Sequence, residues 1–203
     1  MPRGGFQKHV VPGRIWLPHQ LWNLLGTAGA DTGQSNGAPV VAVQGGAGEL
    51  SVVQIGAAGD ELSIAFPIPF DLDRDQKVLG RVIFCHSAAG ADEPVWILKS
   101  KFHAKAAAIL DMDTSEDVAT TFAAHAVSTT EESLEATVWT DLSWETKLED
   151  TDLLAGLLLE CDNLGSASAN EIEFMGLELM YGRKTENSAR IYEMAAEILR
   201  NPV

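Results

Sequence analysis

The residues from Leu153 to Tyr181 constrain this chain more than any others. The run Leu153-Leu154-Ala155-Gly156-Leu157-Leu158-Leu159-Glu160-Cys161 is apolar almost without a break, the pattern of a strand covered on both faces. A turn rich in Gly, Ser and Asn follows, and then Glu171 to Tyr181 alternates as a strand that wets one face does. Together the two runs predict adjoining core strands of a β-sandwich. The second run also changes phase: Ile172 and Phe174 hold even positions, whereas Leu177, Leu179 and Tyr181 hold odd ones. A β-bulge at Met175-Gly176 absorbs the extra residue, since glycine accepts unusual dihedrals and the later side chains return to the core face.

Alternation recurs upstream. Leu62, Ile64 and Phe66 share a face, and Pro67 and Pro69 then mark an edge or a corner, because proline donates nothing to a strand ladder. Val82, Phe84 and His86 alternate with Ile83 and Cys85 in a strand covered on both sides. Trp96, Leu98, Ser100 and Phe102 form one face of Val95 to Ala104. Lys99, Lys101 and His103 lie on the other, which is either exposed or an interface whose lysines meet carboxylates. Shorter strands are expected at Val40 to Val43, Leu50 to Ile55, Val118 to Val127 and Leu134 to Thr140, with Trp139 and Trp144 supplying bulk. Gly45-Gly46-Ala47-Gly48 reads as a turn, since no Gly-Lys-Ser/Thr follows to make it a phosphate loop.

The ends differ in kind. Residues 1 to 16 show no period and read as an extended arm, which either frays or lays Phe6, Val10, Val11, Ile15 and Trp16 against a neighbouring subunit. Pro18 opens a short helix of about two turns through Leu25, with Leu21, Leu24 and Leu25 at helical spacing and Gly26 as its stop. Ile191, Met194, Ala195, Ile198 and Leu199 make the apolar stripe of an amphipathic helix, which packs on its own domain or on a partner. About eight strands with close turn signals and no βαβ rhythm predict an all-β fold, a jelly-roll-like antiparallel β-sandwich carrying these appendages. The expected divisions are 1–60 (arm, short helix and Gly-rich linker with short strands), 61–182 (sandwich) and 183–203 (C-terminal helix).

Charge narrows the partners. The net charge is −15, and its distribution is lopsided: residues 1 to 110 hold 9 acidic and 9 basic side chains, residues 111 to 203 hold 20 and 5. Such a surface repels nucleic acid and anionic membranes. No segment reaches the roughly 20 apolar residues of a membrane-spanning helix, and the first residues lack the apolar run of a signal peptide. Cys85 and Cys161 fall in strand patterns and read as buried reduced thiols.

Chemistry is hard to find. Asp71, Asp73 and Asp75 open like a calcium loop, but Gln76 stands where glycine is needed and Val82 where the closing glutamate belongs. Asp111, Asp113 and Ser115 fail in the same way, with Glu116 and Phe122 at those places. His9, His19, His86, His103 and His125 have no metal-type spacing, and the neighbours Cys85 and His86 would point to opposite faces of a strand. No serine elbow or singled-out carboxylate pair appears. The expectation is therefore no catalytic, cofactor-binding or metal-binding residues, no cofactor and no enzymatic activity.

The cadence of Asp152 to Arg183, with Glu160-Cys161-Asp162 closing one strand and Phe174-Met175-Gly176-Leu177-Glu178-Leu179-Met180-Tyr181 forming the next, resembles the last strand pair of jelly-roll structural proteins of tailed bacteriophages. Pro69-Phe70-Asp71-Leu72-Asp73 followed by Val82-Ile83-Phe84 resembles the start of the same sandwich, so the likeness spans roughly residues 60 to 182. It implies a virion component made in the host cytoplasm. The first expectation is a homotrimeric cement or decoration protein that binds the major capsid protein on the capsid exterior and stabilises the shell. The alternative is a receptor- or carbohydrate-binding jelly-roll module of a phage tail or fibre, which needs an exposed aromatic platform, built from Trp139 and Trp144 unless these are buried. A cupin-like or glycoside-cleaving enzyme lacks its histidine and carboxylate signatures.

Overall fold

β-branched and aromatic residues at alternate positions favour strands that bury one face, and a computed structural model of the chain is built from such strands. It describes residues 12–25, 40–44, 50–86, 93–105, 115–127, 133–165 and 172–184. Among them, in chain order, are β1 Gly13–Pro18, β2 Asn23–Leu25, β3 Val40–Gln44, β4 Leu50–Gln54, β5 Asp60–Pro67, β6 Val78–His86, β7 Val95–Ala104, β8 Val118–Thr121, β9 Ser133–Ala136, β10 Thr140–Asp141, β11 Asp152–Asn163 and β12 Ile172–Tyr181.

These strands form two antiparallel sheets facing each other across one core, a β-sandwich. The five-stranded sheet runs β2-β5-β11-β7-β8. In the seven-stranded sheet β12 pairs with β6 along one side, while β4 and β1 divide its other side between them. β3 extends the sheet beyond β4, and β9 and β10 divide the far side of β6.

The two long strands read from the sequence are present, but they do not adjoin. β11 is the middle of one sheet and β12 of the other, so each has both sides paired and the two face each other across the core. Leu157, Leu159, Leu177 and Leu179 are completely buried between them. β11 is also covered on its outer face at Leu158, which agrees with its unbroken apolar run. The phase slip in β12 is a bulge, the register jumping from Phe174 to Gly176 against β6. Its glycine serves a purpose other than the expected one. Gly176 does not adopt a left-handed backbone; instead Trp16 lies so close that an added Cβ would sit 2.4 Å from its ring.

The N-terminal segment departs most from expectation. Gly13 to Pro18 is a strand, paired in register with β12 from Tyr181 to Gly176. Gly13 is needed there, because the Tyr181 ring lies where a Cβ would be. The helix expected from Pro18 is a single 3-10 turn, His19–Leu21, followed by β2. Trp22 explains the change: its indole is buried in the core and Nε1 donates to the Leu17 carbonyl at 3.1 Å, which holds the chain in a tight turn as it crosses from one sheet to the other. The sandwich therefore draws β1 to β4 from residues 1–60, ahead of the expected boundary at 61. Residues 1–11 of the arm, the linker 26–39 and the C-terminal helix beyond Lys184 lie outside the described residues.

Two buried polar details yield expected results. Thr137, 2% exposed, bridges the gap between β9 and β10: its N–H donates to the Val82 carbonyl and its Oγ1 accepts from the Val82 N–H, both at 3.0 Å. Thr137→Val keeps the shape and orphans that N–H, so urea unfolding should show a loss of about 1–3 kcal/mol. An unchanged midpoint would mean that water satisfies Val82.

Asp60 closes the turn before β5, its Oδ2 accepting from the amides of Gly56 at 2.7 Å and Ala57 at 2.9 Å. Burial raises its pKa more than these amides lower it. Burial, with the nearby Asp60 charge adding to it, also pushes the Cys161 thiol up to about 12, leaving it an inert neutral thiol. Because the folded form of Asp60 holds its proton more tightly, this contribution to stability is present at acid pH and is lost as pH rises through the raised folded value. Asp60→Asn should lack that slope. Its melting temperature should therefore gain on the parent's as pH climbs from the ordinary aspartate value, and parallel profiles would refute the assignment.

Candidate functional site

The outer faces of the sandwich carry the remaining chemistry. On the five-stranded sheet, Lys99 lies 3.6 Å from Glu61 of β5 and 3.3 Å from Glu160 of β11, and Lys101 lies 3.1 Å from Asp117. The lysines of β7 do meet carboxylates, and these come from their own chain. That face ties its two lysines to three carboxylates in a lattice of ion pairs.

The seven-stranded sheet presents a different surface. In a strand pair, residues directly opposite project to the same face. Trp16 of β1 is opposite Glu178 of β12, and Glu178 is opposite Arg81 of β6. The row continues to Trp139, just before β10, whose ring lies 4.6 Å from the Arg81 guanidinium carbon. The result is a line of indole, carboxylate, guanidinium and indole across three strands and the chain beside them.

Each member is held. Arg81 donates from Nε to Glu178 Oε2 at 2.9 Å, and a terminal nitrogen lies 2.7 Å from the same oxygen. The cation–π contact with Trp139 holds the guanidinium as well. Arg14, two residues before Trp16 and so on the same face, donates to Glu178 Oε1 at 3.3 Å. Both Glu178 oxygens are thus engaged, while the Arg14 side chain stays 63% exposed. Trp16 leans over Gly176 and remains 47% exposed. The six-membered edge of the indole packs where Gly176 has no side chain, and nearly half of the residue meets solvent.

Of the tryptophans expected to form a platform, Trp139 belongs to this row and Trp144 does not. Trp144 is buried, its Nε1 donating to Ser100 Oγ at 3.0 Å and its ring packed edge-on against Phe102. Trp16, read only as an apolar residue of an arm, takes the place that Trp144 leaves. The sequence signal was present in Gly176 and in Arg14 and Trp16 on one phase, but it needed β1 to be recognised as a strand.

The other residues singled out earlier are dispersed. His19 sits in the 3-10 turn beside Ser51 Oγ at 3.1 Å, and burial lowers its pKa. His86 is in the core, His103 lies opposite Leu154, and His125 meets Glu135 at 3.1 Å. Asp71 receives the Tyr181 hydroxyl and faces Arg183 at 3.2 Å, while Asp73 accepts from the Asp75 amide. His9, Asp111 and Asp113 are outside the described residues. Among the described residues no three His, Cys, Asp or Glu side chains gather as a metal site would need.

No protein family profile matches the chain, and no curated protein matches it. Among solved structures, a xylan-binding module, CBM15, matches 86% of this chain and the whole of its own length, at 12% identity and a TM-score of 0.46. A likeness at that level assigns nothing to this chain.

Proposed function

We propose that this protein is a non-enzymatic glycan-binding β-sandwich module, the alternative raised from its sequence, with its site on the outer face of the seven-stranded sheet. The observation that carries this reading is Trp16, an indole packed against Gly176 and still 47% exposed, beside a fixed group of guanidinium and carboxylate. A pyranose ring has one apolar face of C–H groups and a rim of hydroxyls. Aromatic rings stack on such faces, and bidentate charged groups bind such rims. The chain passes back and forth between the sheets from β4 to β7, and this crossing pattern supports a jelly-roll reading of the sandwich.

Affinity electrophoresis through gels containing soluble polysaccharides, followed by calorimetry, tests the proposal. Trp16→Ala should weaken binding at least tenfold, about 1.4 kcal/mol, with the melting curve little changed. Failure of the intact protein to bind any polysaccharide in a broad panel would end this reading.

A second reading, the capsid cement protein, is supported by a separate observation. Phe70, Leu134, Val138 and Leu153 are large apolar side chains left exposed, as subunit contacts require. It expects a trimer in solution and protection of capsids against heat. A monomer at high concentration that leaves capsids unprotected would remove it.

A further inference from the structure

The charge at this site runs against the charge of the molecule. The chain carries −15 overall, yet around Trp16 two guanidinium groups face one carboxylate, Glu178. The nearest other acidic side chain on this face of β12 is Glu173, engaged with Gln54 at 3.1 Å and 1% exposed, so it presents almost no charge to a ligand. Beside β10, Lys77 is paired with Asp141 and also feels the Glu145 carboxylate, so the acidic character returns there. The excess of positive charge is confined to the cluster around Trp16.

Resting on the glycan-binding reading, we infer that the ligand is an acidic polysaccharide whose sugars are hexuronates, and that Arg14 receives the uronate carboxylate while the sugar ring stacks on Trp16. Arg14 and Trp16 are two residues apart on one strand face, about 7 Å at roughly 3.4 Å per residue. The carboxylate oxygens on C5 lie about 4 Å from the middle of a pyranose ring, and one hydrogen bond of about 3 Å beyond them reaches a donor at that spacing. Arg14 has nitrogens to give, since among the described residues it makes one contact, of 3.3 Å to Glu178, and its side chain is mostly exposed. Arg81 is the positioning residue. Committed to Glu178 and in cation–π contact with Trp139, it keeps Glu178 in place, and Glu178 in turn directs Arg14. The overall acidity then acts as a filter, repelling polyanions everywhere but here.

Calorimetry with polygalacturonate, alginate, their carboxyl-reduced forms and neutral xylan tests the inference. The intact protein should bind the polyuronates at least tenfold more tightly than the reduced polymers, with affinity falling as salt rises. Arg14→Gln should collapse that ratio toward one, and Arg14→Lys should restore part of it. Equal binding of acidic and reduced polymers, still lost in Trp16→Ala, would overturn the uronate inference and leave the glycan reading standing. Binding of neither would overturn both. Arg14 is exposed, so an unchanged melting curve in Arg14→Gln separates lost recognition from lost fold.

Discussion

Trp96→Ala should strip the protein of a large share of its stability. Trp96 is completely buried on β7, and its ring centroid lies 6.0 Å from both Phe84 of β6 and Phe174 of β12. One side chain therefore ties the five-stranded sheet to the two central strands of the other. Truncating a tryptophan in such a place removes the transfer energy of the ring and leaves a cavity that the rigid sheets cannot fill, about 3–5 kcal/mol. A domain of this size has only about 5–15 kcal/mol in total. The Trp96 Nε1 is buried without a hydrogen-bond partner among the described residues, so Trp96→Phe discards an unsatisfied donor along with some volume. The phenylalanine variant should keep most of the stability that the alanine variant loses. Chemical denaturation of both variants checks this, and equal losses would show that the indole nitrogen is satisfied after all.

The second large effect is expected at Gly176. An alanine Cβ there would stand 2.4 Å from Trp16 Cη2 and 2.8 Å from the Leu17 carbonyl oxygen, so backbone as well as side chain must move. Overpacking of this sort costs about 1–3 kcal/mol. Here it would be concentrated on β1, whose sheet pairing runs along half of one strand. The amides of Gly13 to Leu17 should exchange faster in Gly176→Ala than those of β6, and the glycan binding proposed for this face should fall with them because Trp16 is displaced. A variant with native exchange and native binding would contradict the close approach described for this pair.

These two positions also show what the sequence makes legible. Alternation at Leu62, Ile64 and Phe66, at Trp96, Leu98, Ser100 and Phe102, and along Ile172 to Tyr181 assigns inward faces that the structure keeps, because burial of one sheet face imposes a period of two. The bulge was readable for the same reason, as a change of phase. β1 was hidden: Ile15, Trp16 and Leu17 are all apolar, so the outward turn of Trp16 left no alternation to see, and Pro12 and Pro18 gave the stretch the look of a loop. The helix expected after Pro18 rested on Leu21, Leu24 and Leu25, a spacing that carried no weight against the burial of Trp22. Which sheet each strand joins was unreadable, since pairing partners are set by long-range packing rather than by local pattern. The site inherited both limits: Arg81, Trp139 and Glu178 lie far apart in the chain and meet only through strand order.

The extra residue in β12 gives the strand an uncommon tolerance. Removing one amino acid from the interior of an ordinary strand turns everything beyond it inside out. At Met175 the count already runs one over, so excising that residue would make the pleat regular while Ile172, Phe174, Leu177, Leu179 and Tyr181 all keep pointing inward. Evolution, or an engineer, could shorten the middle of this sheet at that place and keep its interior, a change that the positions from Leu177 onward would not survive.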